Sequence, residues 1–268
     1  MRVSITTIFP SLFEGFLSEG IVARSLEKGL VSVNLVNLRD FTTDSYKTVD
    51  DYPYGGGPGM VMKAEPILRA VSSVTGADYL GNSRPAPSED GRAQPSAAGK
   101  KDASDIERIV ILSPQGRQYS QEMACELSTC ESLVLICGRY KAIDERVGEL
   151  LDAEEVSIGD YVLSGGELAA MVLVESVVRL LPGAIEDEDS AACDSFAEGI
   201  LDCAYYTRPE VVAGKRVPEA LLSGNHAAIK KWRRKNRLGR TLRRRPDLLE
   251  KAVLNEEDIA LLEDYRKR

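Results

Sequence analysis

The sequence contains one histidine, His226, and one tryptophan, Trp232. A zinc site or a Ser–His–Asp triad would have to be built around that single imidazole, and no neighbouring motif supports either. The five cysteines (Cys125, Cys130, Cys137, Cys193 and Cys203) are odd in number and none forms a CxxC pair. They read as reduced thiols in a cytoplasmic protein rather than as a disulfide framework. No run of about 18 apolar residues occurs, so no membrane span is expected. The opening MRVSITTIFPSLF lacks the charged and apolar regions of a signal peptide. No Gly-Lys-Ser/Thr completes a Walker A loop, and no GxGxxG sits between a strand and a helix. Both absences count against nucleotide hydrolases and dehydrogenases.

What is present is a chain of 268 residues, enough for one large domain or two smaller ones. Its net charge of −8 hides an asymmetry. The segment KKWRRKNRLGRTLRRR, residues 230–245, carries ten Lys/Arg and no acid, which leaves −18 on the rest. Cations concentrated around Trp232 in an otherwise acidic chain suit contact with a phosphate backbone, without choosing RNA over DNA. A solvated cationic face is the plainer reading.

The apolar pattern alternates between strand and helix. Arg2–Phe9 reads as a strand, Ser11–Lys28 as a helix and Val31–Leu38 as a strand. A polar loop ending in YGGGPGM (54–60) precedes a helix over 62–76. Residues 82–105 hold no Val, Leu, Ile or aromatic residue and read as a flexible insertion. Three strand–loop–helix units follow. Ile106–Leu112 leads into SPQGR and a helix from about Ser120. Ser132–Ile136 leads into CGRY and a helix Ile143–Leu151. Glu155–Ile158 leads into GDYVLSGG and a helix Glu167–Leu181, stopped by Pro182-Gly183. Such alternation predicts an α/β fold with a parallel sheet, in which ligands bind beyond the carboxyl ends of the strands. The three loops would then share one edge. A linker over 186–200 separates this domain, 1–185, from a small all-helical domain, 201–268, whose last helix begins at Asn255 before three acids.

The helix 167–181 is apolar nearly all round, which predicts burial either in a monomer or at a dimer interface. By pattern alone, Arg179 is a cation favoured by a helix C-terminus, and Asp194 is one acid among several in the linker.

Read together, YGGGPGM (54–60), SPQGR (113–117), CGRY (137–140), IDER (143–146), SIGDYVLSGGEL (157–168), DSFAEGILDC (194–203) and YTRPEV (206–211) occur in the order found in bacterial tRNA (guanine-N1)-methyltransferases. The chain resembles that family over essentially its whole length apart from the insertion. The resemblance implies a SPOUT-type fold whose post-strand loops form a deep trefoil knot around S-adenosylmethionine. It also implies a homodimer with shared active sites, and methylation of N1 of guanosine 37 in tRNA after guanosine 36. The cofactor site would comprise Leu112, Ser113, Pro114, Gly116, Gly138, Tyr140, Ile158, Gly159, Asp160, Tyr161, Val162, Leu163, Gly165 and Gly166. Asp194 matches the general base and Arg179 its supporting arginine. Asp202, Tyr205, Pro58 and Gly59 would meet the substrate. Mg²⁺ is a further candidate cofactor, with no metal ligand assigned. A related knotted methyltransferase acting on another RNA nucleotide, or a catalytically silent RNA-binding protein, are the alternative readings. The chain departs from the family in carrying Lys141-Ala142 for Glu-Gly, Ala204-Tyr205 for Pro-His, and SGNH (223–226) for SGHH.

Overall fold

The computed structural model describes residues 1–81, 107–186 and 194–266. The insertion read over 82–105 and residues 187–193 of the linker read over 186–200 lie outside them. The chain divides into two compact units, 1–186 and 187–268.

In the first unit β1 (Arg2–Thr7) is followed by a 3₁₀ turn (Pro10–Phe13) and two short helices, α1 (Glu14–Ser18) and α2 (Gly20–Glu27). The sequence predicted one helix here. The break falls at Glu19, which is extended, and Gly20, whose φ of 72° lies in the left-handed region. Apolar spacing cannot register such a change of direction, because it continues across both pieces. β2 (Ser32–Asn37) comes next, then the short β3 (Asp50–Asp51) and β4 (Val61–Met62), and α3 (Ala64–Thr75).

The remaining elements of the unit are β5 (Glu107–Gln118), α4 (Gln121–Ser128), β6 (Ser132–Cys137), β7 (Ala142–Ile143), α5 (Arg146–Leu151), β8 (Glu154–Ser157) and α6 (Glu167–Val178). Ser120 caps α4 by accepting from the Met123 N–H. Ile143, read as the start of a helix, instead pairs with Met62 in a small sheet ordered β3-β4-β7, and α5 begins at Arg146.

The main sheet is wholly parallel, in the order β2-β1-β6-β5-β8. Successive side chains of a strand point to opposite faces, and the core divides accordingly. Val3, Ile5, Leu133, Leu135 and Val110 join the buried apolar residues of α2, α4 and α6 in one cluster. Val36, Ile111, Val134 and Ile136 join those of α3 and α5 in another. Helices on both faces explain why SLVLIC in β6 is apolar without alternation. Among the described residues no helix is long and apolar enough to cross a membrane.

The second unit contains β9 (Val211–Val212) and β10 (Lys215–Arg216), α7 (Glu219–Leu222), α8 (His226–Arg244), α9 (Pro246–Leu249) and α10 (Glu256–Arg266). The antiparallel β9–β10 hairpin corrects the all-helical expectation. Two valines and two cations flanking Ala213-Gly214 give a run too short for a periodicity signal. Asn225 caps α8, its Oδ1 accepting from the Ala227 and Ala228 N–H groups, so the asparagine of SGNH has a local role. At the start of α10, Asn255 Oδ1 accepts from the Asp258 N–H at 2.8 Å and Asp258 Oδ2 accepts from the Asn255 N–H at 3.3 Å. This is a reciprocal capping box.

Candidate functional site

The three distinctive loops meet in one cleft at the carboxyl ends of β5, β6 and β8, with about 170 Å³ of solvent space inside. Each loop is positioned by a different device. Within β5, Leu112 and Arg117 both pair with Val156, so residues 113–116 are thrown out of the ladder as one excursion. A Cβ on Gly116 would lie 2.3 Å from the Glu155 carbonyl carbon and the Val156 nitrogen, so only glycine lets the chain return there. After β6, the loop turns at Tyr140, a bulky residue held at φ 61°. Such conformations store strain and concentrate at functional sites. The loop after β8 ends stitched to the second: Gly166 N–H donates to the Gly138 carbonyl at 2.9 Å, and Arg139 bridges Gly165. A Cβ on Gly166 would sit 2.9 Å from the Cys137 Cα.

Of the fourteen residues assigned to the cofactor, Leu112, Ser113, Pro114, Gly138, Tyr140, Ile158, Gly159, Tyr161, Val162, Leu163, Gly165 and Gly166 line the cleft. Gly116 and Asp160 do not; the former shapes the excursion from behind. The cleft also takes in Gln115, Arg139, Lys141, Ile143, Asp144, Glu145 and Ser164, which the sequence reading quoted in its motifs or named as departures but did not assign to the cofactor site. The adjacency of CGRY and IDER was the available signal, since β7 between them folds both motifs onto the same wall.

Beneath this wall lies a buried polar cluster. Glu167, 2 % exposed, accepts from Thr7 Oγ1 at 2.8 Å, and its other oxygen lies 3.3 Å from Arg139 Nε. The Arg139 guanidinium covers the Phe9 ring at 4.5 Å. One carboxylate thus ties the end of β1, the second loop and the start of α6. The Cys137 thiol beside it is pushed well up by burial and by the Glu167 charge.

The loop bearing Pro58 and Gly59 reaches this wall through Lys141, whose N–H donates to the Met60 carbonyl at 2.9 Å. Gly55, Gly56, Gly57 and Gly59 all have positive φ. Hydrogen bonds from Arg146 hold the Asp144 carboxyl below the usual carboxylate range. Asp144 is thereby committed to a protein cation. Among the described residues no group of three His, Cys, Asp or Glu comes together to hold a metal.

Arg179 caps the C-terminus of α6 in the first unit and is partly buried. Asp194, also partly buried, belongs to the second unit, at the head of a turn in which its carbonyl accepts from the Ala197 N–H. Asp202 and Tyr205 are bonded to each other, the phenol donating to the carboxylate at 2.9 Å.

The basic run forms most of α8, and its cations fall into a paired set and an exposed set. Arg234 is paired with Asp258 and Glu198, Arg237 with Glu198, Lys235 with Asp264, and Arg245 with Asp247. Leu238 and Thr241 are buried on the same side. Lys230, Lys231, Arg233, Arg243 and Arg244 are exposed and form no ion pair with the described residues. Trp232 meets Tyr206 edge-on, centroids 6.3 Å apart.

Residues 1–251 match the family model described as tRNA (Guanine-1)-methyltransferase TrmD. The chain is 50 % identical to a tRNA (guanine-N(1)-)-methyltransferase of Pseudomonas entomophila over 265 residues, covering 99 % of this chain and 96 % of the relative. Proteins with that name from Sulfurihydrogenibium sp. (49 % over 262 residues; 98 % and 92 % covered) and Aromatoleum aromaticum (47 % over 265 residues; 99 % and 93 % covered) are similar throughout. The cleft motifs and the DSFAEG and YTRPEV segments all fall inside the matched span, and the chain belongs to the tRNA (guanine-1)-methyltransferase family of enzymes.

Proposed function

We propose that this enzyme transfers a methyl group from S-adenosylmethionine to N1 of guanosine 37 in tRNA, after guanosine 36. The observation that carries the reading is the convergence of three loops, from β5, β6 and β8, on one cleft in a chain of this family. The cleft suits the donor. Ile158 and Leu163 offer apolar faces for an adenine, and the backbone of the cleft loops offers hydrogen-bonding partners for its edge. When bound, S-adenosylmethionine supplies an electrophilic methyl on a sulfonium. The SPOUT arrangement with a trefoil knot is part of the same reading. The close passage of Gly116 against the backbone of residues 155–156 supports it.

The chain's own residues then handle charge and protons. Guanine N1 bears a proton and is a poor nucleophile until it is removed. Asp194 accepts that proton as the new N–C bond forms. Negative charge building toward O6 is met by the Arg179 guanidinium. A carboxylate is a weak base for this proton, so positioning supplies much of the effect. The target base leaves its stack to react. Exposed cations of α8 grip phosphates. A homodimer with shared sites is supported by Leu168 and Val172, which leave apolar surface of 59 % and 45 % exposure on α6. A tRNA substrate places the enzyme in the cytoplasm.

The test is incubation with labelled donor and unmodified tRNA transcripts carrying G36G37 or a substituted position 37. Label entering only G37 transcripts, recovered as 1-methylguanosine, supports the proposal. Label at another nucleotide indicates a related RNA methyltransferase. Donor binding without transfer indicates a silent RNA-binding protein.

A further inference from the structure

We propose that Glu198 is a positioning residue for Asp194, mounting the turn that carries the base directly on the phosphate-gripping helix α8. This rests on the assignment of Asp194 as the proton acceptor. The turn is compact: Ala197 N–H donates to the Asp194 carbonyl at 3.2 Å, Gly199 N–H to the Phe196 carbonyl at 3.0 Å, and Phe196 N–H to the Ile200 carbonyl at 2.9 Å. Phe196, 43 % exposed, is held at φ 75°. A bulky side chain adopts the left-handed region only where its surroundings enforce it.

The enforcement comes from α8. Glu198 Oε2 accepts from Arg234 Nη1 at 2.6 Å and from Arg237 Nη1 at 3.1 Å. Leu201 N–H donates to Thr241 Oγ1 at 3.0 Å, and Ala204 N–H to Asn236 Oδ1 at 2.7 Å. Ile200, 1 % exposed, is buried with Leu238, Leu261 and Leu262. Arg234 is itself locked by a two-point pairing with Asp258. Of these anchors only Glu198 lies inside the turn, between Asp194 and Ile200, and it is half-exposed rather than core. Its carboxylate also neutralises the buried Arg237, so its removal costs some stability, while Ile200 and the backbone bonds still hold the turn to the unit. What it fixes is the direction in which the head of the turn points. The exposed cations Lys230, Lys231 and Arg233 belong to the same helix, toward its N-terminal end. A tRNA held by Lys230, Lys231 and Arg233 is therefore held by the body that carries the base.

The experiment compares Glu198→Ala, Glu198→Gln, Ile200→Ala and Asp194→Ala in the full-length enzyme, measuring kcat, KM for tRNA and the thermal midpoint. The expected result is a kcat at least tenfold lower in Glu198→Ala, with KM for tRNA within about twofold and a midpoint lowered by no more than that of Ile200→Ala. Glu198→Gln, which keeps an acceptor without the charge, should recover part of kcat. The proposal is overturned if kcat of Glu198→Ala stays within twofold. It is also overturned if Ile200→Ala, at equal or greater loss of midpoint, lowers kcat just as much, since the effect is then general loosening. Asp194→Ala separates the two levels: retained turnover there removes the base assignment itself, whereas lost turnover there with an active Glu198→Ala removes only the positioning role.

Discussion

Glu167 offers the sharpest test of how the cleft is held together. Replacing it with Ala removes, among the described residues, the only acidic partner of Arg139, whose side chain is 23 % exposed, and leaves the Thr7 hydroxyl, in a fully buried residue, without its acceptor. Arg139 Nε is already buried without a well-aligned hydrogen bond. Removing one member of a buried pair costs about 3–5 kcal/mol, because the remaining charge stays desolvated. That is a large share of a typical total stability of about 5–15 kcal/mol. Glu167→Gln should cost less, about 1–3 kcal/mol, since the amide oxygen still accepts from Thr7. The double variant Glu167→Leu/Arg139→Met should be more stable than Glu167→Ala, because it leaves no orphaned charge. Urea unfolding followed by circular dichroism measures all three. A cost below about 1 kcal/mol for Glu167→Ala, or a double variant no better than the single, would refute the reasoning that this carboxylate neutralises a buried cation.

Gly166→Ala should lower donor affinity by tenfold or more in calorimetry, because a Cβ there meets the Cys137 backbone 2.9 Å away and pushes the second and third loops apart. The Asp258 carboxyl is held below its ordinary 3.8, chiefly by hydrogen bonds from Arg234. Its contribution to stability is therefore fully present above about pH 4 to 5 and is lost as pH falls through its lowered folded value. Asp258→Asn should flatten that acid limb in a melting series between pH 2 and pH 6. On the proposed reading, the five exposed cations of α8 that form no ion pair with the described residues set the salt dependence of tRNA binding. The slope of log K against log salt should be roughly −4 from this segment, rather than the roughly −8 that ten phosphate contacts would give, and each Lys or Arg→Ala should reduce it by about 1.

The strands of the main sheet were legible in the sequence because they are mostly apolar runs bounded by glycine or polar loops, with β6 buried almost throughout and the edge strand β2 exposing only Ser32 and Asn34. Their parallel arrangement followed from alternation with helices. The excursion at residues 113–116 was not legible as such. SPQGR reads as a loop, and only the double pairing of Leu112 and Arg117 to Val156 shows that the strand resumes beyond it. The glycines of the cleft were visible as types, but the backbone each one faces lies tens of residues away in sequence. The basic run illustrates the same limit. Ten cations announce a polyanion partner, yet Asp258, Asp264 and Glu198 already hold three of those residues. Nothing in local composition tells which cations turn inward. Arg139 and Asp144 lie in the quoted motifs but were given no role: Arg139 acts through Glu167, 28 residues on, and Asp144 is placed by β7, two residues long, which no periodicity can reveal.

The account separates donor binding, assigned to the cleft of the first unit, from proton transfer, assigned to Asp194 in the second. Single-turnover methyl transfer to a G36G37 transcript, measured for Asp194→Ala beside its affinity for S-adenosylmethionine, tests that division directly. The predicted result is transfer lost by a hundredfold or more with donor affinity within about twofold of the parent. Transfer at the parental rate would contradict the account.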